Sequence, residues 1–530
     1  SKIGTKAAQS PCQELIDLFQ NFLLVGVVPA PDSCHAATAA KSKGAGFNPK
    51  VIIATLPDPL HTHFALLFDR FVEAIQQGAQ DEGYEYDSSW LPWETEEPTL
   101  VRLADQDESD DRKKNREDQP GVLLFRKSSP THSENPRSAY QEGLIIFVVG
   151  EEPTGGIHRA QFGNAVAWIT ALQQLGSTPA PVAILGPTFS GSFSSLAQLL
   201  SNNKVEIGHG LNGASDHPLA IYSGSTTSRA GGRRFSSTPG IVFHSFLQDD
   251  DTNLNLFCSY LERGRNEGQI KEDLEKVAVL SEDETAYGYR DPDTAGNPRK
   301  PGCADHPTWL YYPRDISTLR AAYQSQSIFS SGSSTQQDQD AQRKNLSTDL
   351  ADPAGKEHDT VRTYAGNQTP LSQEAELLGI VEALRSHRAQ YVVLRSSNTL
   401  DPLFLANFLG RDYPQARVVV LNSDLLFQRG QDALELSGVM TLSTYPLFPW
   451  EREWTARPPS FAHSHRVFPE DSTEGTYIAS RLLLQSPMFS EPPGCTLWGA
   501  DVFLPSIYCP PGAVSVPIPD YAPPFWTAPS

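Results

Sequence analysis

The stretch VAILGPTFSGS (residues 182–192) places four consecutive apolar side chains directly before a loop of small and hydroxyl-bearing residues. Three further runs have the same form: LAIY before SGSTTS (219–228), VAVL before SEDETAYGY (277–289) and YVVL before RSSNTLD (391–401). Runs this short and rich in Val, Ile and Leu are typical of parallel strands that are buried on both faces. Open parallel sheets bind ligands beyond the carboxyl ends of their strands, so the sequence predicts an α/β protein with a small-molecule site in these loops.

The alternation of strands and helices predicts two Rossmann-like lobes with parallel central sheets, joined by a hinge of several chain crossings. We expect the first lobe in residues 48–250 plus 471–488 and the second in residues 251–470. The remaining predicted segments are an N-terminal extension (1–47), a low-complexity insertion within the second lobe (326–370) and a Pro-rich C-terminal strap (489–530). The polar residues 104–140 are interpreted as an insertion broken by one strand at 121–126.

The charge balance argues against nucleic acid as a partner. The chain of 530 residues has 63 Asp and Glu against 42 Lys and Arg, a formal net charge of −21. Phosphate groups are bound by clustered cations, which this composition does not favour, although the same balance also suits an ordinary soluble protein. No run of about 18 apolar residues occurs, so the sequence predicts no membrane-spanning helix.

The six cysteines lack the CxxC spacing of a zinc site. They are Cys12, Cys34, Cys258, Cys303, Cys495 and Cys509. Fifteen pairings are possible; Cys12 with Cys34 and Cys495 with Cys509 would close loops at the chain ends, and Cys258 with Cys303 would clip an internal segment. Disulfides indicate an oxidising compartment, whereas buried free thiols in a cytosolic protein are the alternative.

Metal and catalytic motifs are not evident. His61 with His63 and His463 with His465 are the only close histidine pairs, and no third ligand follows from their spacing. The loop at 151–156 lacks the GK[ST] of a P-loop, and no G-x-S-x-G nucleophile elbow occurs. The sequence therefore predicts a non-enzyme without metal or cofactor.

Two loops carry the candidate ligand contacts. Residues 188–192 enter a predicted helix, where free backbone N–H groups and the hydroxyls of Ser190 and Ser192 favour a carboxylate or another anion. Ser223, Ser225 and Thr226 follow the next strand and would add hydroxyls to the same ligand. The alternatives are that the first set only caps the helix and that the second forms an ordinary Gly/Ser turn.

The order of these segments resembles the type I periplasmic binding protein fold, which includes branched-chain amino-acid-binding proteins and receptor ligand-binding domains. The resemblance rests on Gly186-Pro187 before a Ser-rich helix start, on the Ser/Thr loop at 223–227, and on Asp283, Tyr287 and Gly288 as a D-x-x-Y-G turn. The arginine of the family's crossover is missing, because residues 243–245 are Phe-His-Ser. The resemblance implies that Tyr287 covers the ligand, while Asp283, Glu284 or Asp424 holds an ammonium group.

Together these features predict a periplasmic or secreted protein that closes two lobes on an amino acid or similar polar metabolite. Its role would be solute binding or sensing, with a membrane transporter or receptor as partner. The alternative is a degenerate binding fold reused for assembly or protein interaction, because the chain has extra ends, large insertions and no crossover arginine.

Overall fold

The computed structural model describes residues 10–25, 27–31, 34, 49–59, 65–93, 115–128, 140–175, 182–202, 219–237, 241–266, 276–283, 287, 307–313, 316, 319–320, 322–323, 369–428, 436–445, 466–485, 496–497 and 507–508. Several predictions fall outside these residues: both histidine pairs, Glu284, Gly288, Cys303, Cys495, Cys509 and nearly all of the insertion at 326–370.

The first lobe is built on an eight-stranded sheet. Its strands are β1 (Lys50–Pro57), β2 (Tyr84–Trp90), β3 (Gly121–Ser128), β4 (Tyr140–Glu152), β5 (Gly156–Ile157), β6 (Val182–Leu185), β7 (Leu219–Ser223) and β8 (Ile241–Ser245). The parallel strands are arranged β4-β1-β6-β7-β8, the 2-1-3-4-5 order of flavodoxin-like sheets. β3 and β2 extend this sheet on the β4 side as antiparallel strands.

The second lobe contains a five-stranded, fully parallel sheet. Its strands are β9 (Val277–Glu282), β10 (Thr308–Tyr312), β11 (Tyr391–Arg395), β12 (Arg417–Leu421) and β13 (Met440–Leu442). They are arranged β10-β9-β11-β12-β13, which is again 2-1-3-4-5. A separate antiparallel pair, β14 (Thr496–Leu497) and β15 (Ile507–Tyr508), lies within the segment predicted as a strap.

Helices cover both faces of both sheets. They are α1 (Pro11–Leu23), α2 (Ala65–Asp81), α3 (Arg159–Gln173), α4 (Phe193–Asn202), α5 (Arg229–Ser236), α6 (Asp250–Asn266), α7 (Pro370–His387), α8 (Leu400–Asp412) and α9 (Asp471–Gln485). One face of the first sheet packs on α1, α3, α4 and α5 and the other on α2 and α9, while α6 and the pair α7 and α8 cover opposite faces of the second. The predicted fold class of two Rossmann-like lobes is confirmed.

The N-terminal segment is part of the first lobe's core. Ser10 caps α1 by accepting a hydrogen bond from the backbone N–H of Gln13. Phe19 on this helix is fully buried, and its ring centroid lies 5.3 Å from that of Trp168 on α3. The predicted Cys12–Cys34 disulfide is present beside α1. Cys258 on α6 is also disulfide-bonded, but Cys303, its predicted partner, is not among the described residues.

The chain crosses between the lobes from β8 to α6 and again from β13 to α9. An apolar cluster joins these crossings, in which Leu247, Tyr445 and Phe468 pack against α2 and α9. The ring centroids of Phe468 and Tyr477 are 4.8 Å apart. This arrangement is the hinge that the sequence predicts, and α9, which follows the second lobe in the chain, packs against α2, β6 and β7 of the first.

A buried carboxyl group at the start of α9 connects the lobes at this hinge. Asp471 accepts a hydrogen bond from the backbone N–H of Thr444 (2.8 Å) and from the hydroxyls of Ser423 and Ser443. Burial raises the pKa of Asp471 to about 6, although these donors act to lower it. The strand ends of the second lobe are therefore tied to a helix of the first. Within the described part of the chain, no helix combines the length and apolarity needed to cross a membrane.

Candidate ligand cleft between the lobes

The loops that follow β6 and β7 face the loops that follow β11 and β12 across a cleft. The cleft has a volume of about 830 Å³, which includes space open to solvent at its mouth. Phe189 and Ser225 line it from the first lobe, and Tyr287, Ser397 and Asp424 line it from the second. Clefts with apolar walls and a few convergent polar groups are typical of small-molecule sites.

The structure separates the eight predicted ligand contacts into two groups. Those that line the cleft are Ser190, Ser225, Tyr287 and Asp424. Those that are not part of its lining are Ser192, Ser223, Thr226 and Asp283. The sequence thus identified the loops of the cleft, while the role of each side chain as a ligand contact stays a prediction.

The hydroxyls after β7 are engaged within the first lobe. Ser223 Oγ donates to the carbonyl oxygen of Pro187 (2.7 Å) and accepts from the backbone N–H of Thr226 (3.1 Å). Ser225 Oγ donates to the carbonyl oxygen of Thr188 (2.8 Å). Ser225 therefore keeps lone pairs for a ligand donor, whereas its proton is already in use.

Ser190 holds the two loops of the first lobe together. Its Oγ accepts hydrogen bonds from the backbone N–H groups of Thr227 (2.9 Å) and Ser228 (3.2 Å). Both lone pairs of this hydroxyl are occupied, so it can offer a ligand only its proton.

The backbone N–H groups predicted to bind a ligand anion are already filled by a side chain of the protein. Glu151 at the end of β4 accepts from the backbone N–H groups of Thr188 (2.8 Å) and Phe189 (2.7 Å). This carboxyl group is fully buried. Burial raises its pKa to about 7, against the lowering effect of the two amides and of the nearby Ser192 hydroxyl. At this loop a carboxyl group of the protein itself therefore occupies the place that a ligand anion was predicted to take.

The second lobe repeats this arrangement. Glu282 at the end of β9 is buried and accepts from the backbone N–H (2.9 Å) and the hydroxyl (2.8 Å) of Ser397, which follows β11. In both sheets the loop after the third parallel strand is thus bound to an internal carboxyl group. These are the loops next to the point where the strand order reverses, where ligands of such sheets usually bind.

Tyr287 lies beside an ion pair of the second lobe. Its ring centroid lies 3.9 Å from the guanidinium carbon of Arg395, and Arg395 Nε donates to Asp250 (2.8 Å). Burial, followed by the nearby Asp250 carboxylate, raises the pKa of Tyr287 well above its usual value, although Arg395 acts to lower it. Tyr287 thus packs on charged groups of the second lobe, and its role in covering a ligand stays a prediction.

An acidic wall closes the cleft beside the hinge. Arg70 on α2 contacts Asp424 at 2.9 Å and Glu470 at 3.6 Å, and both carboxyl groups line the cleft. Glu470 is only 6 % exposed, and its Oε1 has no hydrogen-bond partner. Burial, followed by the nearby Asp424 carboxylate, raises the pKa of Glu470 to about 8, although Arg70 acts to lower it.

Asn422 adds a second unpaired acceptor to the cleft lining. It follows β12 with φ at 70°, in the left-handed region that a residue other than glycine seldom adopts. Its side-chain oxygen has no hydrogen-bond partner. Unusual backbone conformations of this kind concentrate at functional sites.

The raised pKa of Glu470 predicts that stability falls as the pH rises. Its pKa is about 8 in the folded chain against 4.5 as the reference value, so the folded state binds the extra proton between these values. The stabilisation is complete below pH 4.5 and is lost as the pH rises through 8. We expect the free energy of unfolding to fall by about 1 kcal/mol between pH 7 and 8.5, measured by urea denaturation.

Glu470→Gln is the matched variant for this measurement, because its amide does not titrate. Asp471, with a raised pKa of about 6, titrates mainly below this window, and Glu151, with a raised pKa of about 7, titrates at its lower edge. The variant should show a distinctly flatter profile between pH 7 and 8.5. An unchanged slope would assign the pH dependence to another group.

Sequence reasoning did not identify Glu151, Glu282, Asn422 or Glu470 as residues of this region. Glu151 and Glu282 each come directly after or at the end of an apolar strand, and this position was the available signal. Glu470 comes from the second crossing, far along the chain from the strand loops. No periodic pattern marks it.

Known proteins resemble this chain in fold. No family model and no curated protein sequence matches it. Solved structures do: an ABC transporter substrate-binding protein from Desulfitobacterium hafniense in complex with Leu has 11 % identity over 84 % of this chain and 85 % of its own, with a TM-score of 0.39. A solute-binding protein of an R. palustris ABC transporter, in complex with benzoate, has 10 % identity over 84 % and 82 %, with a TM-score of 0.40.

A putative branched-chain amino acid ABC transporter protein from Silicibacter pomeroyi has 10 % identity over 82 % of this chain and 75 % of its own, with a TM-score of 0.39. These similarities concern the fold alone. The two 2-1-3-4-5 sheets and the crossings between them agree with the two-lobed architecture that the resemblance in sequence implies.

No group of three or more His, Cys, Asp or Glu side chains suited to a metal ion occurs among the residues that the structure describes. The cleft lining described here instead provides carboxyl groups, hydroxyls, an amide and aromatic rings.

Proposed function

We propose that this protein binds a small polar solute in the cleft and closes its two lobes on it by hinge motion. The observation that carries this proposal is the cleft itself, which is lined from both lobes at the carboxyl ends of two parallel sheets. A ligand that contacts both lobes binds the closed state more tightly than the open state, and this difference drives closure. Binding rather than turnover is the proposed activity.

The proposed location is the periplasm or the cell exterior. The Cys12–Cys34 disulfide supports an oxidising compartment. A membrane transporter or a receptor is the partner that the family resemblance suggests, since the proteins named above are parts of ABC transporters. We propose solute capture or sensing as the role, with amino acids and similar polar metabolites as the first ligands to test.

A thermal-shift screen of the purified chain against amino acids, amines, small carboxylates and short peptides tests this proposal. A ligand present at 100 times its Kd stabilises the folded state by about 2.7 kcal/mol, which raises the melting temperature measurably. Calorimetry then gives the affinity, and X-ray scattering should show a smaller radius of gyration with ligand. A broad library without a single binder would contradict the proposal.

The second candidate function is assembly or protein interaction, in which the binding fold no longer holds a small ligand. It is favoured by the internal bonds of the cleft loops, where Glu151 and Glu282 occupy backbone N–H groups at which family members are expected to hold ligands. Light scattering separates the two candidates. Ordered oligomers with an empty cleft would support assembly, whereas a monomer with a tight small-molecule ligand would exclude it.

A further inference from the structure

We propose that the cleft selects an organic cation without a carboxylate group, and that Asp424 and Glu470 hold its positive charge. This inference rests on the proposed solute-binding function and narrows the class of ligand. It departs from the expectation of an amino acid, whose carboxylate would need hydrogen-bond donors at the strand ends.

Donors of the loops after β6 and β11, where a ligand carboxylate is expected to bind, are occupied by carboxyl groups of the protein. Thr188 and Phe189 direct their backbone N–H groups to Glu151, and Ser397 directs its N–H and hydroxyl to Glu282. A ligand carboxylate would have to displace a buried carboxyl group of the protein from either loop. Displacement leaves that group unpaired in the interior, which is unfavourable.

Two buried side-chain atoms of the cleft lining that lack a hydrogen-bond partner are acceptors. Oε1 of the nearly fully buried Glu470 and Oδ1 of Asn422 both lack a hydrogen-bond partner. Buried polar atoms are almost always hydrogen-bonded in proteins, so Asn422 Oδ1, and Glu470 Oε1 once this carboxyl group is ionised, are positions for a ligand donor. An ammonium or amine ligand supplies donors and no competing acceptor.

The charges near the wall also favour a cation. Glu470 faces Asp424 from the second lobe and Arg70 from α2, and Asp471 follows it on α9. Arg70 is the single cation in contact with the two lining carboxyl groups, and no Lys, Arg or His belongs to the cleft lining among the described residues. When both carboxyl groups are ionised, one of them lacks a counterion, and a bound ammonium would provide it.

The rest of the lining suits the apolar body of such a ligand. Phe71 and Phe189 of the first lobe and Phe427 of the second contribute rings to the cleft. Aromatic faces attract organic cations and exclude water from the ion pair. The chemistry that we infer is thus a primary amine or quaternary ammonium group on a compact apolar skeleton.

Glu470 links binding to pH. Its pKa of about 8 means that it is largely protonated at pH 7, so a cation must displace this proton before the ion pair forms. The affinity for a permanently charged cation should therefore rise as the pH goes from 6.5 to 8.5. At neutral pH, calorimetry in buffers of different ionisation enthalpy should show release of a proton on binding.

Three probes with one alkyl skeleton test the selectivity: 3-methylbutylamine, leucine and 4-methylpentanoate. They carry an ammonium group, both charged groups, and a carboxylate, respectively. We expect the amine to bind at least tenfold more tightly than leucine, and the carboxylate to produce no thermal shift. Choline, whose charge does not depend on pH, serves for the pH series.

Glu470→Gln should weaken amine binding tenfold or more. The amide resembles the protonated carboxyl group that is present at neutral pH, so this variant is expected to fold. Glu382→Gln is the matched control, since Glu382 is an exposed residue of α7 whose ion pair with Arg385 is at the surface, and it should bind as the parent protein does.

The experiments distinguish a wrong cation assignment from a wrong proposed function. Preferred binding of leucine or 4-methylpentanoate, or of any carboxylate found in the broad screen, would overturn the cation assignment and leave solute binding intact. Amine binding that Glu470→Gln does not change would also overturn it. Absence of every binder would contradict both proposals.

Discussion

Gly475→Ala is expected to lower the free energy of unfolding by about 3 kcal/mol, because α9 lies directly against the end of β7 at this residue. A Cβ atom at Gly475 would lie 2.0 Å from the carbonyl oxygen of Gly224 and 3.0 Å from its carbonyl carbon. Both are backbone atoms, so no side chain can rotate away and the helix itself must move. Urea denaturation of the purified variant measures the loss.

Gly379→Ala is the control, since Gly379 is also a helical glycine, on α7. A Cβ atom there would have no atom within 4 Å. Alanine is a better helix former than glycine, so we expect this variant to be more stable by up to about 1 kcal/mol. Both substitutions replace glycine by alanine, yet they should change the free energy of unfolding in opposite directions. Equal effects would show that α9 is not in close contact with β7.

The same contact matters for the cleft. Asp471 and Glu470 are at the start of α9, four and five residues before Gly475. A displaced helix would move the acidic wall as well as the hinge. Gly475→Ala should therefore weaken ligand binding in addition to its effect on stability, whereas Gly379→Ala should leave binding unchanged.

The sequence was most informative about the central strands. The apolar runs at 182–185, 219–222, 277–280 and 391–394 form β6, β7, β9 and β11, with ends that differ by two residues at most. Buried parallel strands need apolar side chains on both faces, and this requirement gives a pattern that few other elements share. The two-lobed fold followed from the order of these runs.

The edges of the first sheet were less predictable. β2 is buried only at its two ends, Tyr84 and Trp90, and is otherwise rich in polar residues, so it lacks the apolar signal of the central strands. The strand predicted at 121–126 is confirmed as β3, but its place in the sheet was not predicted: Val122 and Leu124 are fully buried beside β4. Pairing between distant segments decides such edges, and local pattern does not encode it.

The sequence predicted which loops line the cleft, but it did not predict the hydrogen bonds that their side chains make. Ser190 was recognised as a residue of the loop after β6, yet its acceptors are occupied by backbone groups 37 and 38 residues further along the chain. Which partner a serine finds depends on the three-dimensional placement of neighbouring strands. The engagement of Glu151 with the loop after β6 arises in the same way.

Glu151→Ala is expected to lower the free energy of unfolding by about 3 kcal/mol. The substitution leaves the buried N–H groups of Thr188 and Phe189 without an acceptor, and an unsatisfied buried donor costs about 1–3 kcal/mol. The space left by the carboxyl group adds a cavity. Chemical denaturation at pH 6, below the pKa of about 7 that burial gives Glu151, measures the change.

Acetate should restore part of this stability, because its carboxylate matches the deleted group and can accept from the same two amides. The expected result is a rise in the melting temperature of Glu151→Ala in sodium acetate relative to sodium chloride at equal ionic strength, while the parent protein and the surface variant Glu382→Ala show no such difference. Rescue would demonstrate that the loop after β6 binds carboxylates when its own is removed. It would follow that Glu151 blocks this position in the natural chain, which is the basis for expecting a ligand without a carboxylate group. Equal melting temperatures in the two salts would contradict that reasoning.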